Sequence, residues 1–237
     1  MSITLPPLRV PNKTAFKLSC VLFDLDGTLV DSAPDLLASL QKTLKGFGLA
    51  AADEAHVKPY ISFGAAAMLK ACLPPSVTET ERAALLATLL SHYESNIAEH
   101  TVLFAGMAYT LATIESLGLP WGIVTNKRER YTLPLMDALQ LSHRAACIIS
   151  GDTAAKPKPF AEPMLEACKR AAVNPSECVY IGDAQHDIAA GKNANMRTLV
   201  ALYGYLNASD KPETWGADAL IAAPEQLTRW IKTILCH

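Results

Sequence analysis

From residue 101 onward, short apolar runs alternate with amphipathic stretches, and this rhythm restricts the fold more than any other feature of the chain. Residues 121–125, 147–149, 178–182, 197–202 and 219–222 are apolar runs of strand length. Helical patterns lie between and after them, at 106–117, 129–139, 160–172, 187–194 and 225–234, with a bend expected at Pro134. One further apolar run, 17–23, precedes them all. Strands without a polar face are buried on both sides, and their alternation with helices implies a parallel sheet covered on both faces. The expected class is therefore α/β, with a parallel sheet core and helices on both faces.

Between residues 32 and 100 the rhythm stops. In 32–47, Leu36, Leu37, Leu40, Leu44 and Phe47 fall on one helical face, Pro34 lies in the tolerant first turn, and Ser32 with Asp35 resembles a capping box. A second helical patch, 64–73, stops at Pro74-Pro75. A third, 78–99, opens on the capping-box pair Thr78 and Glu81 and carries Leu85, Leu86, Leu89, Leu90, Tyr93 and Ile97 on its apolar face. The expected organisation is a core made of residues 1–31 and 101–237, with an α-helical cap domain, 32–100, inserted after the first strand. Hinges are expected near 31–33 and 100–104. Residues 1–17, with Pro6, Pro7 and Pro11, read as an extended arm.

In open α/β sheets, ligands bind at the carboxyl ends of the strands. The first strand runs into Asp24-Leu25-Asp26-Gly27-Thr28. One residue apart in extended chain, the two carboxylates lean to the same side and repel unless a cation or a shared proton offsets them. Later strands lead to Thr125-Asn126, to Lys156-Pro157-Lys158-Pro159, and to Gly182-Asp183 followed by Asp187. Each alone has a plain reading as turn, rigid linker or helix cap. Together, in this order, they suit a divalent cation and a phosphate group. Asp24 is placed as a nucleophile on phosphorus. Asp26 is placed to protonate a leaving alkoxide and later to take a proton from water. Asp24, Asp26 and Asp183 offer oxygens to Mg²⁺. Thr125 and Asn126 offer hydrogen bonds to phosphoryl oxygens, and Lys156 balances charge.

These four stretches resemble the motifs of the haloacid dehalogenase superfamily, and within it the phosphoglycolate phosphatase group, whose helical cap follows the first motif. The resemblance implies a Rossmann-like core and a Mg²⁺-dependent phosphomonoesterase with Asp24 as nucleophile and Asp26 as acid/base. It makes Asp24, the Asp26 backbone carbonyl and Asp183 the metal ligands, with Asp187 supporting. Because its pattern is Lys-Pro-x-Pro, it assigns the phosphate-side lysine to Lys156 and leaves Lys158 solvated. Dehalogenases lack the second aspartate, so Asp26 favours phosphate chemistry. Residues 121–127, Tyr203-Gly204-Tyr205 and 215–218 are also similar to the proteobacterial N-acetylmuramic acid 6-phosphate phosphatases. Three positions depart from relatives: Ala105 replaces a proline, Asn195 a glycine, and Ser62-Phe63-Gly64 a more glycine-rich cap loop. Asn195 is a mild change, since asparagine tolerates a left-handed backbone.

A net charge of -2 leaves no electrostatic footprint for nucleic acid or an anionic membrane surface. The six cysteines include no C-x-x-C pair and read as reduced thiols, which places the chain in the cytoplasm by default. No apolar run approaches the length of a membrane span. The expected partner is a small phosphomonoester carrying a carboxylate, acted on by a monomer or homodimer. Lys70 and Lys127 are candidates to meet that carboxylate, although a solvated surface lysine is the commoner reading of each. Phosphoglycolate leads as substrate and N-acetylmuramic acid 6-phosphate is the alternative. A β-phosphoglucomutase-like mutase shares the core chemistry. A non-catalytic sugar-phosphate-binding module has against it the intact set Asp24, Asp26, Lys156 and Asp183.

Overall fold

The computed structural model describes residues 16–235, so the expected N-terminal arm falls, up to residue 15, outside the described residues. The described strands are β1 (Cys20–Phe23), β2 (Val30–Asp31), β3 (Val102–Leu103), β4 (Trp121–Val124), β5 (Cys147–Ile149), β6 (Cys178–Gly182), β7 (Arg197–Ala201) and β8 (Ala219–Ile221). The helices are α1 (Ala33–Gly46), α2 (Glu54–Val57), α3 (Ala65–Cys72), α4 (Glu79–Ser95), α5 (Met107–Ser116), α6 (Glu129–Ala138), α7 (Glu162–Ala171), α8 (Gln185–Asn193) and α9 (Pro224–Leu235).

Six strands form the expected parallel sheet in the order β5-β4-β1-β6-β7-β8. The chain builds outward from β1 to β5 on one side, then returns to β6 and builds outward on the other. β1 is thus the point where the winding reverses, and its carboxyl end is where an open sheet of this kind binds ligands. Its four residues are fully buried and alternate between two apolar layers. Val21 and Phe23 join Leu111 and Ile114 of α5, Leu135 of α6, and Leu227, Trp230 and Ile231 of α9. Cys20 and Leu22 join Met164 and Ala167 of α7 and Ala190 of α8. Each fully buried large side chain contributes about 1.5–3 kcal/mol, and truncating Phe23 to alanine is expected to cost about 3–5 kcal/mol.

Residues 33–95 are helical as expected, with an unforeseen short helix α2 and a 3-10 turn, Lys58–Phe63, ahead of α3. Asp53 caps α2 by accepting from Ala55 N at 3.0 Å. Leu40 and Leu44 of α1 share a cluster with Leu85, Leu89 and Tyr93 of α4, and Tyr131 and Tyr205 from the sheet side complete it. Phe47 instead lies past the end of α1 and is 43% exposed. The Thr78–Glu81 capping box forms as expected. The one expected at Ser32 and Asp35 does not, because both side chains have stronger engagements elsewhere. Ser32 Oγ donates to Asp26. Buried Asp35 accepts from His100 N at 2.9 Å, Thr101 N at 2.9 Å and Thr101 Oγ1 at 2.6 Å. It thereby ties the start of α1 to the returning chain. The two crossing segments also pair with each other as the antiparallel ribbon β2–β3, Val30 opposite Leu103 and Asp31 opposite Val102.

Two smaller expectations can be placed. Asn195 adopts a left-handed backbone, φ 61°. Pro134 lies inside α6, which continues through it. The described cysteines are free thiols, and no described helix is long and apolar enough to cross a membrane.

Candidate active site

β1 delivers Asp24 to the carboxyl edge of the sheet, where its amide still bonds to Ile181 O of β6. The side chain is almost wholly buried, and its cation is Lys158. Lys158 Nζ lies 2.8 Å from Asp24 Oδ1, an ion pair without hydrogen-bond geometry. The same ammonium donates to Asp187 at 2.7 Å and to Tyr180 Oη at 3.0 Å. Lys156, expected in this role, is exposed and pairs with Glu162 at 3.1 Å over the ring of Phe160. The lysine assignment is therefore corrected: within Lys-Pro-Lys-Pro it is the second lysine that enters the site.

Asn126 explains why. Its Oδ1 accepts from Lys158 N at 2.9 Å and its Nδ2 donates to Lys158 O at 3.1 Å. This two-point clamp fixes the backbone of Lys158 and turns its side chain inward. It also commits the amide that was expected to hold phosphoryl oxygens, leaving the backbone N–H of Asn126 and the hydroxyl of Thr125 as donors there. Thr125 is buried at the end of β4, its Oγ1 accepting from Lys127 N at 3.2 Å.

Asp26 sits apart from this cluster. It accepts from Ser32 Oγ at 2.5 Å and from Lys127 Nζ at 3.1 Å to each carboxylate oxygen. The intervening turn bends sharply, with Leu29 N and Val30 N both bonding to Leu25 O. Gly27 makes the bend possible at φ +81°, and a Cβ there would lie 2.2 Å from Asp183 Oδ2.

β6 delivers Asp183, whose Oδ2 accepts from Tyr205 N at 2.8 Å and from Ser62 Oγ, on the 3-10 turn, at 3.0 Å. Its Oδ1 is buried with no hydrogen-bond partner. Asp187, in the first turn of α8, is fully buried and bonds through Oδ2 to Ala184 N at 3.0 Å. Tyr180 was not foreseen as a site residue. It donates to Val124 O at 2.7 Å while receiving Lys158. Its only sequence signal was a hydroxyl-bearing side chain inside a strand otherwise apolar up to Gly182.

Oxygens of Asp24, Asp183 and Asp187 lie within 4.8 Å of one another. Three carboxylates against one ammonium leave a formal charge of about -2 in a buried space, a poor arrangement unless a cation or protons balance it. Accordingly, burial raises Asp24 to about 7, against the pull of Lys158 and with a further push from Asp187. Burial, then Asp187 and Asp24, hold Asp183 well above the usual carboxylate range. Asp187 is also pushed up by burial, but Lys158, His186 and the Ala184 amide outweigh this and keep it below that range. Hard oxygen donors, an orphaned carboxylate oxygen and a charge of this size and sign fit a divalent cation such as Mg²⁺. Asp26, expected among the metal ligands, has its carboxylate turned to Ser32 and Lys127, which leaves its backbone carbonyl for that role.

The family model for haloacid dehalogenase-like hydrolases matches residues 21–201. An N-acetylmuramic acid 6-phosphate phosphatase of Pseudomonas putida is 40% identical over 93% of this chain and 99% of its own length. A phosphoglycolate phosphatase of Xylella fastidiosa is 41% identical over 94% of this chain and 96% of its own. Among solved structures, a predicted phosphoglycolate phosphatase from Haemophilus somnus superposes with a TM-score of 0.79 at 28% identity, covering 92% of this chain and 99% of that one. A parallel sheet wound outward from β1, carboxylates at the ends of β1 and β6, and relatives of this similarity over nearly the whole length lead to one conclusion: the chain belongs to the haloacid dehalogenase-like hydrolases, on the branch whose curated relatives are phosphatases.

Proposed function

We propose that this enzyme is a Mg²⁺-dependent phosphatase that releases phosphate from a small carboxylated phosphomonoester by way of an aspartyl phosphate on Asp24. The observation that carries this reading is the division of the first motif. Asp24 shares Lys158 with Asp187 at the sheet edge, while Asp26, two residues on, is held separately by Ser32 and Lys127. This division supports one carboxylate as the group that attacks and the other as the group that moves protons.

In the first step Asp24 attacks phosphorus, the ester P–O bond breaks, and Asp26 gives its proton to the departing alkoxide. In the second, Asp26 takes a proton from a water that attacks the same phosphorus, and the Asp24 carboxylate leaves. Lys158 offsets the charge that gathers around Asp24, and Thr125 Oγ1 with the Asn126 N–H hold phosphoryl oxygens. Asp24, Asp183 and the Asp26 carbonyl would hold Mg²⁺, with Asp187 in support, and the bound ion would supply charge neutralisation between nucleophile and phosphate. Residues 32–100 serve as a cap, and the β2–β3 ribbon with Asp35 serves as its hinge. Closure excludes water from the first step. The free buried thiols support a reducing compartment such as the cytoplasm.

Phosphoglycolate is the leading substrate. N-acetylmuramic acid 6-phosphate is the second reading, favoured by the Pseudomonas putida relative. Phosphate release with and without Mg²⁺, compared by kcat/KM across both compounds and common sugar phosphates, tests the reading. A preference for either carboxylated compound supports it. Equal rates on every ester overturn the substrate class, and no Mg²⁺-dependent release overturns the phosphatase.

A further inference from the structure

Lys127 stands in an unusual place for a lysine. Its side chain is 8% exposed, and its ammonium lies 3.1 Å from both oxygens of Asp26 and 4.5 Å from the ring centre of Tyr93 on α4. Asp26 already has a hydroxyl donor in Ser32, so a buried ammonium is more than its orientation requires. Lys127 is also held from two sides, by the loop after β4 and by a helix of the 33–95 segment. Lys70 on α3 is exposed, Lys156 is turned outward to Glu162, and Lys158 is taken by Asp24 and Asp187.

A group that protonates the leaving oxygen must come within about 2.6–3.2 Å of it. A cation in hydrogen-bond contact with that group therefore lies close to the leaving alcohol. We propose that Lys127 is the residue that selects substrates whose leaving alcohol carries a carboxylate. Two of its three N–H donors suffice for Asp26, and the third, faced by the ring of Tyr93 at 4.5 Å, would turn to the substrate anion. This rests on the phosphatase reading above and assigns the specificity that reading leaves open.

The test uses the Mg²⁺-loaded protein and two matched pairs of esters. One pair is phosphoglycolate against ethyl phosphate. The other is N-acetylmuramic acid 6-phosphate against N-acetylglucosamine 6-phosphate. We expect wild type to favour the carboxylated member of one pair by about 10- to 100-fold in kcat/KM, the worth of a charged hydrogen bond. Lys127→Met should slow both members through Asp26 and bring their ratio within about threefold of unity. Lys127→Gln, close in length and uncharged, gives the same test should the methionine variant not fold, and Lys127→Arg should keep part of the preference. An unchanged ratio in the uncharged variants, with both rates lowered, overturns the proposal and leaves Lys127 as a positioning residue for Asp26. A wild type that turns over both members of each pair equally also overturns it while sparing the phosphatase. Failure of wild type on all four esters instead overturns the phosphatase reading itself.

Discussion

Replacing Lys158 with methionine tests the central geometry of the site. The ammonium is 1% exposed and lies within 3.0 Å of Asp24, Asp187 and Tyr180. Burial alone disfavours its charge, yet Asp187 and Asp24 outweigh burial and keep it more firmly protonated than a free lysine. Removing one member of a buried, hydrogen-bonded charge pair costs about 3–5 kcal/mol. In a domain of this size that lowers the unfolding midpoint by on the order of 10 °C. The protein can offset part of that cost by protonating Asp24, but only by losing the nucleophile. Stability and activity should therefore fall together, with phosphate release reduced roughly 10²–10³-fold, the scale of losing one preorganised charge-stabilising group. Lys156→Met is the internal control. Its side chain is 54% exposed and its partner Glu162 is partly exposed, and we expect no measurable change in midpoint and less than about a twofold change in rate. Thermal unfolding and phosphate release, measured on both variants with Mg²⁺ present, give the answer. Full activity in Lys158→Met, or an equal loss in Lys156→Met, would refute the reasoning.

The remaining predictions follow from neighbouring residues. Asp24 is raised from 3.8 to about 7, so its contribution to folding is present at low pH and lost as pH rises through about 7. The metal-free protein should then lose stability as pH rises from about 4 towards 7, read as a falling unfolding midpoint. Mg²⁺ should restore the loss, and Asp24→Asn should make the slope shallower, with Asp183 keeping the remainder; a midpoint that climbs over this interval without metal would be the wrong sign. Gly27→Ala places a Cβ 2.2 Å from Asp183 Oδ2 on a left-handed backbone. It should weaken Mg²⁺ activation at least about 10-fold in a metal titration, and an unchanged titration would mean Asp183 is not a ligand. Asn126→Ala releases the clamp on Lys158 and should mimic a milder Lys158→Met, losing about 1–2 kcal/mol and roughly 10-fold in rate. An activity loss with no change in midpoint would point instead to phosphate contact by the side chain.

Much of the fold was legible because long-range burial writes itself into local pattern. The apolar runs at 121–125 and 178–182 could only be strands buried on both faces, and their order carried the sheet. The two-residue strands Val30–Asp31 and Val102–Leu103 were not legible, since two residues show no period and their pairing is set by the Asp35 staple between distant segments. The aspartates of the site were readable from spacing at strand ends. The lysine was not, because Lys156 and Lys158 have identical prolines after them and differ only in which one Asn126 holds. That clamp spans 32 positions in sequence. Ser32 misled for a related reason. A serine before a helix has a local use as a cap, but the closer and more charged partner, Asp26, takes its hydroxyl.

The most direct test of the mechanism is to stop the Mg²⁺-dependent reaction with acid during turnover of a substrate labelled in its phosphate, and to map any label left on the protein. We expect a single phosphorylated side chain, Asp24, identified by its acyl-phosphate chemistry and absent from Asp24→Asn. Label on any other residue, or the same label in Asp24→Asn, would contradict the assignment of Asp24 as the group that attacks phosphorus.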